Sequence, residues 1–93
     1  MSWELVRSVT FVRAARKYLR RHPDQASDLF EVFTQLTENP FQVSLRTHKL
    51  TGVLAGSWAC SAGYDLRVIF KMIKKFDKSF IVLETIGTHD EVY

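Results

Sequence analysis

The sequence predicts an α+β fold in which a helical hairpin packs on one face of a four-stranded, mainly antiparallel sheet, in the order β-α-α-β-β-β. Two observations support this fold class. Apolar residues recur at helical spacing between residues 8 and 39, and the spacing changes toward a period of two after Pro40. Because 93 residues leave no room for a second domain, we expect residues 1–93 to form a single domain.

The N-terminal half predicts one short strand followed by two helices. Residues 3–7 are the candidate strand, and Ser8 or Thr10 caps a helix that ends at His22-Pro23, because the residue before a proline avoids the helical conformation. A second helix begins near Asp24 and stops at Asn39-Pro40. The apolar residues expected to face the core are Phe11, Val12, Ala15, Tyr18 and Leu19, then Ala26, Leu29, Phe30, Phe33 and Leu36.

The C-terminal half predicts three strands. Residues 41–55 are expected to be a connector, residues 56–62, 65–73 and 80–86 strands, Gly63-Tyr64 a turn and residues 74–79 a loop. Alternation in the middle strand puts Leu66, Val68, Phe70 and Met72 on one face and Arg67, Ile69, Lys71 and Ile73 on the other. The second, mixed face indicates either a binding groove or a surface that the C-terminal segment covers.

The charge is distributed in blocks. The net charge of +3 divides into +5 for residues 1–23, −4 for residues 24–39, +5 for residues 40–75 and −3 for residues 76–93. Two basic blocks on a small domain suggest a polyanionic partner such as a nucleic acid. The alternative is that they are ordinary solvated helix and strand faces.

Several classes of protein are excluded. A single cysteine, Cys60, cannot form an internal disulfide or a cysteine-based zinc site, and we expect it to be buried. No apolar run reaches the roughly 20 residues of a membrane span, and the N-terminus does not resemble a signal peptide. Neither a glycine-rich phosphate loop nor a nucleophile elbow is present. We therefore expect a soluble cytoplasmic protein with no cofactor, no metal and no membrane partner.

The residue types that remain suit cleavage of a phosphodiester. Histidine carries out proton transfer near neutral pH, and a cation stabilises the charge that develops on the phosphorus oxygens. Taken singly, each of the three histidines is more often a plain surface residue. The candidate catalytic residues are His48, Asp65, Arg67, His89 and Tyr93, with Lys49 and Lys71 close to them in sequence.

Three sequence blocks carry a family resemblance. They are Thr47-His48-Lys49-Leu50 with Leu54-Ala55-Gly56-Ser57-Trp58, then Gly63-Tyr64-Asp65-Leu66-Arg67-Val68-Ile69-Phe70, and finally Ile86-Gly87-Thr88-His89-Asp90-Glu91-Val92-Tyr93. In this order and spacing, and together with the helical hairpin, they resemble the RelE/ParE superfamily of type II toxins and specifically its RelE/YafQ-like mRNA interferases. The resemblance covers nearly the whole chain and implies a RelE-like fold.

The resemblance implies a role for each matching residue. His89 is the expected general acid, and Tyr93 is expected to orient the RNA by stacking or hydrogen bonding. His48 is a candidate general base or phosphate ligand, Asp65 orients or tunes a histidine, and Arg67 stabilises the transition state. YafQ-like proteins carry a further histidine before the third strand, where this chain has Ser61-Ala62-Gly63.

The implied activity is cleavage of mRNA in the ribosomal A site without a metal ion. A ribose 2′-OH attacks the adjacent phosphate and leaves a 2′,3′-cyclic phosphate and a 5′-OH, which explains the preference for RNA. A cognate antitoxin is expected to cover the groove and neutralise its charge. The residues expected to bind RNA are Arg46, Lys49, Lys71, Arg13, Lys17 and Arg20.

Two alternatives share this fold. The ParE branch inhibits DNA gyrase without being an enzyme and does not depend on a terminal histidine-aromatic block, so Gly87–Tyr93 argues against it. A degenerate domain that only binds its antitoxin is the other alternative, and the missing histidine near Gly63 favours it. Fold analogy alone does not choose between them.

Overall fold

The computed structural model describes residues 2–93 and has the predicted order of elements, with one additional strand and one additional helix. Three short 3-10 turns lie at Pro23–Gln25, Val43–Leu45 and Gly52–Leu54. The helices are α1 (Val9–Arg21), α2 (Ala26–Glu38) and α3 (His89–Val92). The strands are β1 (Glu4–Arg7), β2 (His48–Lys49), β3 (Trp58–Ala62), β4 (Leu66–Lys75) and β5 (Lys78–Thr88).

The helical hairpin begins at a side-chain cap. The Ser8 hydroxyl accepts a hydrogen bond from the Phe11 amide at 3.0 Å, so Ser8 rather than Thr10 is the N-cap. Pro23 ends α1 as predicted, but it also starts a 3-10 turn, so α2 begins at Ala26 rather than near Asp24. None of the helices in residues 2–93 has the length and apolar character needed to cross a membrane.

The sheet has the strand order β1-β5-β4-β3-β2 and contains the four predicted strands. β1 is parallel to β5, and the other pairs are antiparallel. The fifth strand, β2, lies in the predicted connector, where His48 pairs with Ala59 and Lys49 pairs with Trp58. Two residues are too short to show an alternating pattern, so the sequence could not reveal this strand.

The predicted loop at residues 74–79 is instead the end of a long hairpin. Lys74 pairs with Ser79 and Lys75 with Lys78, which leaves a two-residue turn at Phe76 and Asp77. Both turn residues are left-handed, with φ angles of 52° and 63°. The sequence concealed this turn because asparagine and glycine, the residues typical of it, are absent there.

The core lies between the helices and one face of the sheet. In α2 the inward residues are Leu29, Val32, Phe33 and Leu36, a helical i, i+3, i+4, i+7 stripe. The expectation for Ala26 and Phe30 was wrong, since both are exposed, Phe30 by 72%. The fully buried members of the core are Leu36, Leu45, Cys60, Ala62, Leu66, Val68, Phe70, Ile81 and Leu83.

The opposite sheet face, which we call the open face, carries the mixed residues that the alternation predicted. Ile69 and Ala59 are buried on it although they lie outside the core cluster, so this face is covered locally. Arg67 is half-buried and Lys71 is exposed. The two halves of the predicted alternation in β4 therefore do face opposite sides.

We expect Leu36→Ala to destabilise the fold by about 2–5 kcal/mol, because it removes a fully buried side chain and leaves a cavity. Chemical denaturation measures this change. Phe30→Ala on the same helix is the matched control and should change the free energy of unfolding by no more than about 0.5 kcal/mol. Equal losses in the two variants would contradict the assignment of the inward face.

Candidate active site

Strand register brings two of the predicted residues to one end of the open face. Arg67, near the start of β4, pairs with Ser61 of β3 on one side and with Gly87 of β5 on the other. His48 pairs with Ala59, two residues from Ser61, so its side chain shares the face with Arg67. The C-terminal helix α3 then follows β5 directly and brings the remaining residues to the same end.

The helix α3 is held against the sheet by a capping box and by close packing. The Thr88 hydroxyl accepts from the Glu91 amide at 3.3 Å, while the Glu91 carboxylate accepts from the Thr88 amide at 2.8 Å. A Cβ on Gly87 would lie 3.1 Å from Val92 Cγ1, so glycine permits this approach. The box fixes the direction in which His89 and Tyr93 leave the sheet.

His48 has defined partners on both ring nitrogens. Its Nδ1 lies 2.9 Å from the Arg46 carbonyl oxygen, and its Nε2 lies 3.4 Å from the Tyr93 hydroxyl. Because a carbonyl can only accept, Nδ1 carries the proton in the neutral ring and Nε2 carries the lone pair. The lone pair of His48 therefore points toward Tyr93 and is available to accept a proton.

His89 lies on the other side of Tyr93. The two rings meet edge to face, with centroids 4.6 Å apart. The Asp65 carboxylate accepts from the His89 backbone amide at 3.4 Å, whereas the His89 ring lies 3.5 Å from the carboxylate of Asp90. Asp65 thus contacts a histidine as the resemblance implied, but through the backbone rather than the ring.

Arg67 places a positive charge beside Tyr93. Its guanidinium donates to the carbonyl oxygens of Leu66 at 3.1 Å and Tyr64 at 3.3 Å. Partial burial raises the pKa of Tyr93, and the charge of Arg67 opposes this only in part. The Tyr93 phenol therefore stays protonated at neutral pH and can donate a hydrogen bond.

An open cleft of about 780 Å³ lies beside these groups, and neither His48 nor Tyr93 lines it. Two arginines, Arg46 and Arg67, and two aspartates, Asp65 and Asp90, line it beside His89. The sequence did not single out as site residues the four other residues that line it, which are Ser44, Ser61, Gly63 and the 98% exposed Tyr64. Ser61 lies directly across from Arg67, in the segment where the resemblance led us to expect a histidine.

Most of the predicted RNA-binding residues lie outside the cleft. Arg46 lines it, but Lys49 lies 5.5 Å over the Trp58 ring on the helical side of the sheet. Lys71 is on the open face, 3.5 Å from the Glu84 carboxylate. The others, Arg13, Lys17 and Arg20, are exposed on α1, where Lys17 borders a second cleft formed with the end of β5.

Two further observations concern thiol chemistry and metal binding. Burial raises the pKa of Cys60 to about 12, so this thiol is protonated and inert, as a buried cysteine is expected to be. Within residues 2–93, no three histidine, cysteine, aspartate or glutamate side chains are grouped so that they could hold a metal ion.

Comparisons with known proteins identify the family. The chain matches the family model of YafQ, a bacterial toxin of a type II toxin–antitoxin system, over residues 3–93. The crystal structure of YafQ from E. coli strain BL21(DE3) superposes with a TM-score of 0.81 at 22% identity and 98% coverage of both chains. Among curated protein sequences, none matches this chain.

Two other structures share the fold. The E. coli DinJ-YafQ toxin–antitoxin complex gives a TM-score of 0.73 at 20% identity, covering 100% of this chain and 99% of the other. A metal-bound toxin from Helicobacter pylori gives a TM-score of 0.73 at 26% identity, with 100% of both chains covered. The α+β fold predicted from sequence, with helices on one face of a mainly antiparallel sheet, is thereby confirmed.

We expect the order of α3 to depend on the ionisation of Glu91. The hydrogen bond from the Thr88 amide, with a smaller contribution from its hydroxyl, lowers the pKa of Glu91 from its ordinary value of 4.5. The stabilisation is complete above that value and is lost as the pH falls through the lowered pKa of the folded state. The protection of the Tyr93 amide, measured as its exchange rate relative to an unstructured amide at the same pH, should therefore fall in acid.

Glu91→Gln is the matched variant for this measurement. Glutamine can make the same capping box but does not titrate, so the part of the pH dependence that belongs to Glu91 should disappear. An identical acid profile in the variant and the wild type would show that another carboxylate controls α3.

Proposed function

The chain belongs to the YafQ family of bacterial type II toxins, and we propose that it is an endoribonuclease that cleaves mRNA on the ribosome in the cytoplasm. The observation that carries this proposal is the grouping of His48, His89 and Arg67 about Tyr93, with His89 and Arg67 also lining the cleft. This group of side chains combines an acceptor of protons, a donor of protons and a cation around one tyrosine. Transfer of a phosphoryl group from one oxygen to another requires these three kinds of group.

His48 is the proposed general base. Its Nε2 lone pair faces the Tyr93 hydroxyl. In the complex with RNA, the ribose 2′-OH would take the position of this hydroxyl. The bond from Nδ1 to the Arg46 carbonyl keeps the ring in the tautomer that leaves Nε2 free. A base held in this way needs no change of tautomer before it accepts the proton.

His89 is the proposed general acid. Its ring lies on the cleft, more than half exposed, and its backbone is held by Asp65. A protonated His89 can give its proton to the departing 5′ oxygen. Arg67, with Arg46 beside it, stabilises the negative charge that develops on the phosphate oxygens during this step.

The proposed reaction balances with these residues alone. The 2′ oxygen bonds to phosphorus as its proton passes to His48, and the bond from phosphorus to the 5′ oxygen breaks as His89 supplies a proton. The products are a 2′,3′-cyclic phosphate and a 5′-hydroxyl. Since the nucleophile belongs to the substrate, DNA cannot react by this route.

We further propose that a cognate antitoxin binds this chain. The E. coli DinJ-YafQ structure is a toxin–antitoxin complex of the same fold. Here the open face carries Val6, Ile73 and Lys71, a partly exposed apolar and basic surface that an acidic, apolar segment would complement. An antitoxin on this face would reach toward the cleft along β4.

We expect His89→Ala to lower the rate of RNA cleavage by roughly 10²–10⁴, because it removes one proton-transfer group. Mapping of 5′ ends after expression, and cleavage of ribosome-bound message, measure the change. His22→Ala is the control, since His22 stacks on Tyr18 outside the cleft, and it should cleave at the wild-type rate.

The same measurement separates the alternative functions. Wild-type protein that binds antitoxin but leaves message intact would identify a degenerate domain, which the serine at position 61 would then explain. Intact message together with gyrase-dependent DNA breaks would identify a gyrase inhibitor. Unchanged cleavage by His89→Ala would remove His89 from the mechanism.

We expect the product of a reading frame next to this gene to bind the chain and suppress cleavage. A short protein with an acidic, apolar C-terminal segment is the expected product. Isothermal titration calorimetry measures the binding, and Val6→Asp with Ile73→Asp should weaken it by at least tenfold through loss of apolar contact. Full binding by that variant would move the interface away from the open face.

A further inference from the structure

The β4–β5 hairpin extends beyond both neighbouring strands at the end of the sheet away from the cleft. β3 pairs with β4 only as far as Phe70, and β1 pairs with β5 only from Phe80 onward. In the described part of the chain, residues 74–79 therefore pair only with one another. We call residues 74–79 the hairpin tip.

The hairpin tip is basic, and its charges are not paired. It contains Lys74, Lys75 and Lys78 against Asp77, a net charge of +2. Among residues 2–93, none of these lysines forms an ion pair, whereas Lys71 on the same strand does. Lys75 and Lys78 lie directly opposite each other, and like charges in that arrangement destabilise a hairpin.

The turn residue Phe76 is also unfavourable for the fold. Its side chain is 88% exposed, and its φ of 52° is a left-handed conformation that a bulky residue adopts at a cost. Asparagine followed by glycine is the usual choice for such a turn. The Lys75 ammonium lies 5.6 Å from the Phe76 ring centroid, so an aromatic face and a cation are presented together.

An exposed aromatic ring surrounded by unpaired cations is the combination that binds single-stranded nucleic acid. Lysines bind the phosphates, and the ring stacks on a base regardless of its identity. Sequence choices that oppose local stability tend to occur where a protein has a function. The tip has two such choices, the opposed lysines and the left-handed phenylalanine.

We propose that the hairpin tip is a second RNA-contact element, in which Lys74, Lys75 and Lys78 bind phosphates and Phe76 stacks on an unpaired base. This inference rests on the proposed RNA-cleaving function. Arg67 and Lys75 are eight residues apart on β4, which corresponds to about 26 Å. The tip therefore contacts RNA other than the nucleotides being cleaved, either the same message farther along or ribosomal RNA.

Binding of two RNA probes tests the proposal and separates these sources. A fluorescent single-stranded RNA reports on the message, and co-sedimentation with ribosomes reports on ribosomal RNA, both with protein carrying His89→Ala to prevent cleavage. The variant Lys74→Gln, Lys75→Gln, Lys78→Gln should bind at least one probe about tenfold more weakly. Its slope of log affinity against log salt should fall by about 2, because roughly 0.7 is lost per phosphate contact.

The variant Phe76→Asn distinguishes a role of Phe76 in RNA binding from a role in stabilising the hairpin. Asparagine tolerates the left-handed conformation, so the melting temperature should stay the same or rise. Loss of stacking should nevertheless weaken RNA binding about tenfold. Arg7→Gln removes one positive charge at an exposed position of β1, away from the tip and the cleft. As a control for charge outside the tip, it should leave binding within about twofold.

Cleavage assays show whether a negative result contradicts the RNA contact at the tip or the proposed RNA-cleaving function. With His89 restored, the tip variants should cleave an oligoribonucleotide too short to reach the tip at the wild-type rate, and should show a raised KM on a long substrate. Wild-type protein that cleaves neither substrate, and does not cleave ribosome-bound message, would refute the enzymatic function, while the binding assays would still test the tip.

Three results would overturn the proposal. Binding of both RNA probes could be unchanged in every tip variant. The lysine variant could lose affinity for RNA and for poly-glutamate, a polyanion without bases, to the same extent, while Phe76→Asn keeps its affinity for both. That result would show that the tip binds polyanions in general. Finally, the tip variants could bind RNA with unchanged affinity but bind the antitoxin more weakly, which would show that the tip contacts a protein partner.

Discussion

The antiparallel pairing of β3, β4 and β5 determines where Arg67 and the C-terminal helix α3 lie relative to the cleft. Burial of Leu66, Val68 and Phe70 against the helices fixes which face of β4 points inward. A slip of one residue would expose these side chains and turn Arg67 into the core, so the hydrophobic effect specifies the register strongly. The same register places Ser61 and Gly87 on either side of Arg67, and thereby sets the point from which α3 leaves the sheet.

The C-terminal helix depends on this frame because it cannot be stable alone. Four residues are far below the length at which an isolated helix forms in water. The Thr88–Glu91 capping box satisfies amides that the short helix leaves without partners, and Gly87 allows the segment to pack on β5. Site geometry at His89 and Tyr93 is therefore a consequence of local hydrogen bonds supported by a rigid strand.

The sequence predicted the helices and strands that apolar spacing and prolines specify. It missed the elements and contacts that depend on pairing between distant segments of the chain. Prolines and apolar spacing located the two long helices and the four main strands. His48 was predicted as a site residue, but its strand could not be foreseen, since only pairing with Ala59 makes two residues a strand. The contact between His48 and Tyr93 spans 45 residues, and only the resemblance suggested that these residues act together. Phe30 was misassigned because α2 has apolar residues on more than its inward stripe.

The charge of the cleft explains why cations elsewhere matter for binding. Arg46 and Arg67 are offset by Asp65 and Asp90, so the cleft has little net charge while His89 is neutral. A balanced site can stabilise charge that develops during the reaction but attracts a polyanion only weakly. For the RNA binding that we propose, the attraction therefore comes from the exposed basic residues of α1 and from the hairpin tip. β4 joins the tip to Arg67 along one strand, whose pairing with β5 shifts register once, between Ile69 and Phe70. In the RNA-binding role that we propose, binding energy gained at the tip can position the phosphate in the cleft.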